Sequence, residues 1–205
     1  IASSKWIAES AKWTEEKHSP DLSLVYLPHL DYDLQRLGPN DPKISKALNE
    51  IDQVVGELIS FYEKRGIRLI ILSEYGITEV KNVIYPNRVF RNKGWLSIKD
   101  ELGLEYLDCG GSKAFTITDH QVAHVYLQDE SPRFRKEVRN CLESMEGVEK
   151  ILEGESRKEA GLNHERSGDF VIFSKEDAWF AYYHWLDDSL APDFQPCRTQ
   201  CKMLV

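Results

Sequence analysis

Two short apolar runs, residues 22–27 (LSLVYL) and 67–72 (IRLIIL), flank one long stretch of helical period. Apolar side chains at Ile44, Leu48, Ile51, Val55, Leu58 and Ile59 return every three or four residues, which places them on one helical face. Asp41-Pro42 has the form of a helix start, and Gly66 that of a stop. A strand, a helix over 42–64 and a second strand in about fifty residues make a βαβ unit, whose two strands lie parallel and adjacent. Both apolar runs end at acidic residues: Asp31 and Asp33 in HLDYDLQRLGP, and Glu74 in SEYG. In an open parallel sheet, ligands bind at the carboxyl ends of the strands. A mouth lined by Asp31, Asp33 and Glu74 suits a metal ion or a phosphate group.

The rest of the chain alternates short elements. Residues 1–17 have helix-forming composition, with Trp6 and Trp13 seven apart on one face. A short helix is expected over 87–93, and a small hairpin from 95–98 and 105–107. Strands are expected over 115–118, 122–127 and 169–173, a helix over 131–144, and an edge strand over 148–152. The middle is richer in hairpins than the first third, so a smaller lobe is expected at about 86–165 within one domain spanning residues 1–205.

Composition narrows the function. The net charge of −8 argues against a nucleic-acid partner, since phosphate neutralisation needs clustered Lys and Arg. A phosphate-bearing substrate stays open if a metal lies between it and the carboxylates. No apolar run approaches the roughly 18 residues of a membrane span. Cys109, Cys141, Cys197 and Cys201 form no CxxC, and the Cys197/Cys201 spacing alone is weak evidence for zinc. Free thiols and the missing basic-apolar leader lead to the expectation of a cytoplasmic protein. A chain starting at Ile1 is expected to be a piece of something longer.

Several side chains are candidates for chemistry. In an extended segment Asp31, Asp33 and Gln35 point to one side, a set of oxygens suited to a hard cation; otherwise they cap turns. In SEYG, Gly76 permits a tight turn and Tyr75 can hydrogen-bond a phosphoryl oxygen, or simply pack. His120 and His124 lie on a strand-like stretch, about 13 Å apart at that spacing, too far to chelate one ion. His120, beside Asp119, is the better metal candidate. The aromatic run Trp179, Phe180, Tyr182, Tyr183 and Trp185 is core, or a stacking platform for a flat group. The sequence has no GxSxG, P-loop or GxGxxG.

Taken together, these stretches resemble the alkaline phosphatase superfamily, most closely its type I phosphodiesterase/nucleotide pyrophosphatase branch, over most of the chain from about Pro20 to Phe194. Where that family has Asp-x-x-x-His-x-x-Gly-Pro, this chain has Asp31, Gln35, Gly38 and Pro39. Where it has Ser-Asp-His-Gly, the chain has Ser73, Glu74, Tyr75 and Gly76. Its Arg-x-Gly-Asp corresponds to Arg166, Ser167, Gly168 and Asp169. YLPHLDYDLQR, LSEYGIT, DHQVAHVY and WFAYYHWLDD are similar to phrases of a bacterial-type subgroup.

The resemblance implies an α/β fold: an alkaline-phosphatase-like, mostly parallel sheet flanked by helices, with a smaller hairpin-rich lobe. It also implies metal-dependent hydrolysis of a phosphodiester or phosphate ester by a Thr or Ser nucleophile expected upstream of Ile1. The metal candidates are Asp31, Glu74, Gln35 and His120. Asp33, Tyr75, His164 and Trp179 are substrate contacts. The implied cofactor is a divalent metal, zinc by resemblance. Gln35 and Tyr75 stand where the family has His, which shifts the preference toward manganese or magnesium. The family's final His has no counterpart after Ala191-Pro192-Asp193-Phe194. This piece alone is therefore expected to be inactive. The alternative function is that of a non-catalytic relative that binds a phosphate-bearing ligand or a protein partner.

Overall fold

A computed structural model describes residues 1–193. The chain divides into two compact units, Ile1–Glu79 and the part from Val80 onward. The hairpin-rich region expected at about 86–165 lies inside the second.

The first unit is helical. Helix α1 (Ala2–His18) ends at Ser19, which turns left-handed at φ 44° while its N–H reaches back to Glu15 O. Helix α2 (His29–Leu37) stops at Gly38, whose φ of 82° suits glycine best. Helix α3 (Ile44–Glu63) follows a turn in which the Asp41 carboxylate accepts from Lys43 N–H. Its period buries Val54, Leu58 and Tyr62 against Ala8 of α1. Trp6 and Trp13 of α1 stay exposed, at 70% and 54%.

The parallel strand pair expected from residues 22–27 and 67–72 is not formed among the described residues: both runs are extended but neither enters a ladder. They keep the alternation of a strand all the same. Val25, Leu27, Ile67 and Leu69 pack on the α1/α3 cluster, while Leu24 and Ile70 stand 90% and 79% exposed. One face is satisfied by helices, and the strand edges have no ladder partner there.

The second unit is built around an antiparallel sheet of order β4 (Ala114–Asp119), β5 (Val122–Leu127), β7 (Phe170–Ser174) and β6 (Val148–Leu152). β6 is the expected edge strand. β7 is buried at Phe170, Val171 and Ile172, as a strand paired on both sides should be. Helix α5 (Pro132–Glu143), capped by Ser131, lays Phe134, Val138, Cys141 and Leu142 on the same core. Strands β2 (Ser97–Glu101) and β3 (Leu104–Asp108) form the expected hairpin.

The parallel component of the described sheets is elsewhere than expected. It is β1 (Asn82–Ile84) against β8 (Ala178–Phe180), which brings the start of this unit beside its aromatic run. Helix α4 (Pro86–Asn92) follows β1 and buries Phe90. A short helix α6 (Gly154–Glu159) was not expected. No helix among the described residues is long and apolar enough to cross a membrane.

Exposure predicts contrasting effects of substitution. Phe170→Ala, at a fully buried site, should cost about 3–5 kcal/mol of stability. Leu24→Lys, on the exposed face of its run, should stay within about 0.5 kcal/mol. Urea unfolding of both variants measures the difference.

Candidate functional site

The segment 28–39, in which an extended chain would put Asp31, Asp33 and Gln35 on one side, is mostly helix α2. Helical period replaces alternation, so i and i+4 share a face while i+2 turns away. The Gln35 amide nitrogen bonds both Asp31 oxygens, at 2.9 and 3.0 Å. Asp33 instead accepts from Arg36 at 2.7 Å, so it is spent on its own helix.

From the other end of the unit, the Tyr75 hydroxyl donates to Asp31 Oδ1 at 2.6 Å. The Ser73 hydroxyl donates to Tyr75 O at 2.7 Å and shapes the turn that carries the ring. The Asp31 carboxylate, first by this hydrogen bond, holds the Tyr75 phenol well above the usual tyrosine range, and Tyr26 adds to the effect. Tyr75 rather than Glu74 is therefore the residue whose side chain bonds Asp31; Glu74 is exposed. The two motifs do meet, through a phenol and an amide. Tyr26, which was not among the sequence candidates, belongs to the same cluster and ends the alternating face of its extended run.

The remaining candidates belong to the second unit and have local roles there. His120 occupies the two-residue turn between β4 and β5 at φ 54°. Its Nδ1 lies 2.8 Å from the Asp119 carboxylate and its carbonyl accepts from Phe180 N–H. His164 Nδ1 accepts from Arg166 N–H within an exposed turn. Trp179 sits half-buried in β8 opposite Val83. Asp169 accepts from Leu127 N–H at 2.9 Å and pairs with Arg135 of α5. Gly168 is forced by contact: a Cβ there would lie 2.6 Å from Val125 O. Cys197 and Cys201 lie outside the described residues.

One further cluster had no signal in sequence spacing. Arg91 of α4 pairs with Glu105 of β3, at 2.6 Å from Nη2 to Oε1, and also donates to His184 O. The guanidinium bond holds the Glu105 carboxyl below its usual range. His184 is buried, with Nε2 3.0 Å from Glu105 O. Desolvation holds its imidazole below the ordinary value, against the pull of that hydrogen bond.

A family model described as type I phosphodiesterase/nucleotide pyrophosphatase matches residues 1–201. The chain belongs to this family. A curated relative, an uncharacterized pyrophosphatase/phosphodiesterase of Schizosaccharomyces pombe, is 35% identical over 81 residues, 37% of this chain and 17% of the relative. Among solved structures, phosphonoacetate hydrolase from Sinorhizobium meliloti 1021 superposes with a TM-score of 0.61 at 18% identity, over 89% of this chain and 43% of that one. Murine ectonucleotide pyrophosphatase/phosphodiesterase 5, in complex with AMP, gives 0.62 at 18%, over 88% and 45%. The fold is thus that of alkaline-phosphatase-like proteins. The chain spans less than half the length of these relatives.

The type I phosphodiesterase resemblance implies two divalent ions, and the residues around Asp31 do not fit that demand. A zinc centre takes imidazole, thiolate or carboxylate donors. The groups turned toward Asp31 are instead an amide N–H and a phenol O–H. Among the described residues no three His, Cys, Asp or Glu side chains gather as a metal-holding group.

His184 supplies a pH prediction. Its folded pKa is depressed, so the folded chain keeps the ring neutral while the unfolded chain takes up a proton below about pH 6.5. Stability from this group is full above that pH and falls as pH drops. His184→Gln should cost about 1–3 kcal/mol at pH 7 through the lost buried hydrogen bond. The gap to wild type should narrow toward pH 5 in urea unfolding.

Proposed function

We propose that the protein carrying this chain is a phosphoester hydrolase acting on a phosphodiester or phosphate ester, with the cluster of Asp31 and Gln35 on α2 and Tyr75 on the 73–76 turn at its phosphate-handling end. The observation that carries this reading is convergence. Three positions that correspond to the family's two ligand motifs lie 44 residues apart at most, yet form one hydrogen-bonded cluster. Family membership supplies the reaction class. The partners proposed are a small phosphate-bearing substrate and no nucleic acid.

The residues of the cluster position rather than attack. Asp31 holds the Tyr75 ring in place, and Gln35 holds Asp31. Tyr75, half exposed, keeps its one O–H on Asp31 and presents its ring edge to solvent beside that carboxylate, where a substrate can pack against it. Orientation of this kind supplies much of the rate in phosphoryl transfer. A divalent ion supplies Lewis-acid polarisation in such reactions. Any such requirement of the whole protein is proposed to rest on residues other than Asp31 and Gln35.

The test is turnover of bis(p-nitrophenyl) phosphate by the full-length protein, with zinc, manganese or magnesium added in turn. Wild type should turn over, and Asp31→Ala should lose about 100-fold in kcat/KM, the scale of a misplaced reacting geometry. Equal kcat/KM in the two proteins would remove this cluster from the site. No turnover with any metal would favour the non-catalytic relative that binds a phosphate-bearing ligand or a protein partner.

A further inference from the structure

Gln35 and Tyr75 depart from the family pattern together, and in the same chemical direction. An imidazole offers a lone pair to a cation. The Gln35 amide nitrogen has none, and it is this nitrogen that must face Asp31, because the amide oxygen would meet the carboxylate oxygens lone pair to lone pair. The Tyr75 hydroxyl has a free choice of role except beside an ionised carboxylate, which only accepts. At 2.6 Å from Asp31 Oδ1 it donates. One substituted position lies on α2, the other on the turn at 73–76, and both aim a hydrogen at the same carboxylate.

We propose that Asp31 is not a metal ligand in this protein: Gln35 and Tyr75 hold its carboxylate as a hydrogen-bonded anion, in the place where the family resemblance implies a divalent ion. The spacing is what a built pair requires. Asp31 and Gln35 are i and i+4 on α2, so the amide reaches both oxygens without leaving its helix. The Ser73 bond to Tyr75 O fixes the turn from which the phenol reaches across. A carboxylate has about four acceptor sites, and the three contacts observed occupy most of them. A cation at Asp31 would have to displace both donors, and neither is arranged as a ligand: the amide would offer at best its oxygen, and the phenol points its hydrogen, not a lone pair, at the carboxylate. The proposal confines any metal requirement to one ion bound elsewhere, or to none.

The inference rests on the family assignment and not on hydrolysis, so the two can fail separately. The first experiment titrates the full-length protein with zinc alone, and with manganese alone, by calorimetry. Asp31→Asn should bind the same number of ions as wild type. Loss of one equivalent in Asp31→Asn would overturn the proposal. The second experiment is a melting-temperature cycle in excess EDTA with Asp31→Ala, Tyr75→Phe and the double variant. Each single change should lower the melting temperature by a few degrees, and the double variant should melt no lower than the weaker single one, because both break the same bond. Additive losses, or no loss in either single variant, would overturn it. If wild type takes up no ion, the cycle decides. Zero turnover in the activity assay with a non-additive cycle would end the hydrolase reading and leave this inference standing.

Discussion

Strand β7 must have its buried backbone hydrogen-bonded along both edges, and the second unit is organised by that requirement. Phe170, Val171 and Ile172 are without solvent contact, and β5 and β6 pair with them on either side. Buried amides and carbonyls without partners would each cost on the order of a hydrogen bond. The turn into β7 is held by the same logic. Gly168 lets the chain press against Val125 O, its N–H meets His124 Nδ1, and Asp169 ties β5 to α5 through Leu127 N–H and Arg135. The Gly168-Asp169 pair of the family motif is therefore a joint of this fold, and its chemistry is structural.

In the first unit the same requirement is met by helices alone. The extended runs at 22–27 and 67–72 have the composition of strands and use one face, Val25 and Leu27 with Ile67 and Leu69, to cover α1 and α3. Burial of those side chains against the helices holds the runs extended. The ends of the two runs then lead into α2 and into the 73–76 turn, which brings Asp31 and Tyr75 to hydrogen-bond distance. Charge is settled there by donated hydrogens. A bond to an ionised carboxylate is about twice as strong as a neutral one, although water competes at a half-exposed tyrosine. The arrangement is a small polar network whose members are chosen to match: one acceptor and two donors.

Much of this was legible in the residues. Helix α3 announced itself by period and by its ends, α1 and α5 were expected as helices, β2 and β3 as a small hairpin, β4 and β5 as short strands, and β6 as an edge strand. The family was legible because motif order and spacing survive changes of individual residues. What misled was HLDYDLQRL. Its acidic residues alternate, which suits a strand end, yet the same nine residues make an amphipathic helix, and local pattern alone does not choose between periods of 2 and 3.6. Strands β1 and β8 carry three residues each, too few for any periodic signal. They exist because each is the other's partner.

The sequence by itself determined which side chains were available for a site and which lineage their order belongs to: Asp31 kept, Gln35 and Tyr75 in place of imidazoles, Glu74 in place of a shorter acid. Only the tertiary structure decided who meets whom. Tyr75 and not Glu74 bonds Asp31, Asp33 is consumed by Arg36, and Arg91, Glu105 and His184 gather from three distant segments. The reason is physical. Residue type and local period are properties of neighbours along the chain, whereas a hydrogen bond across 44 residues depends on how helices and turns pack, and that packing sets the direction in which each donor points.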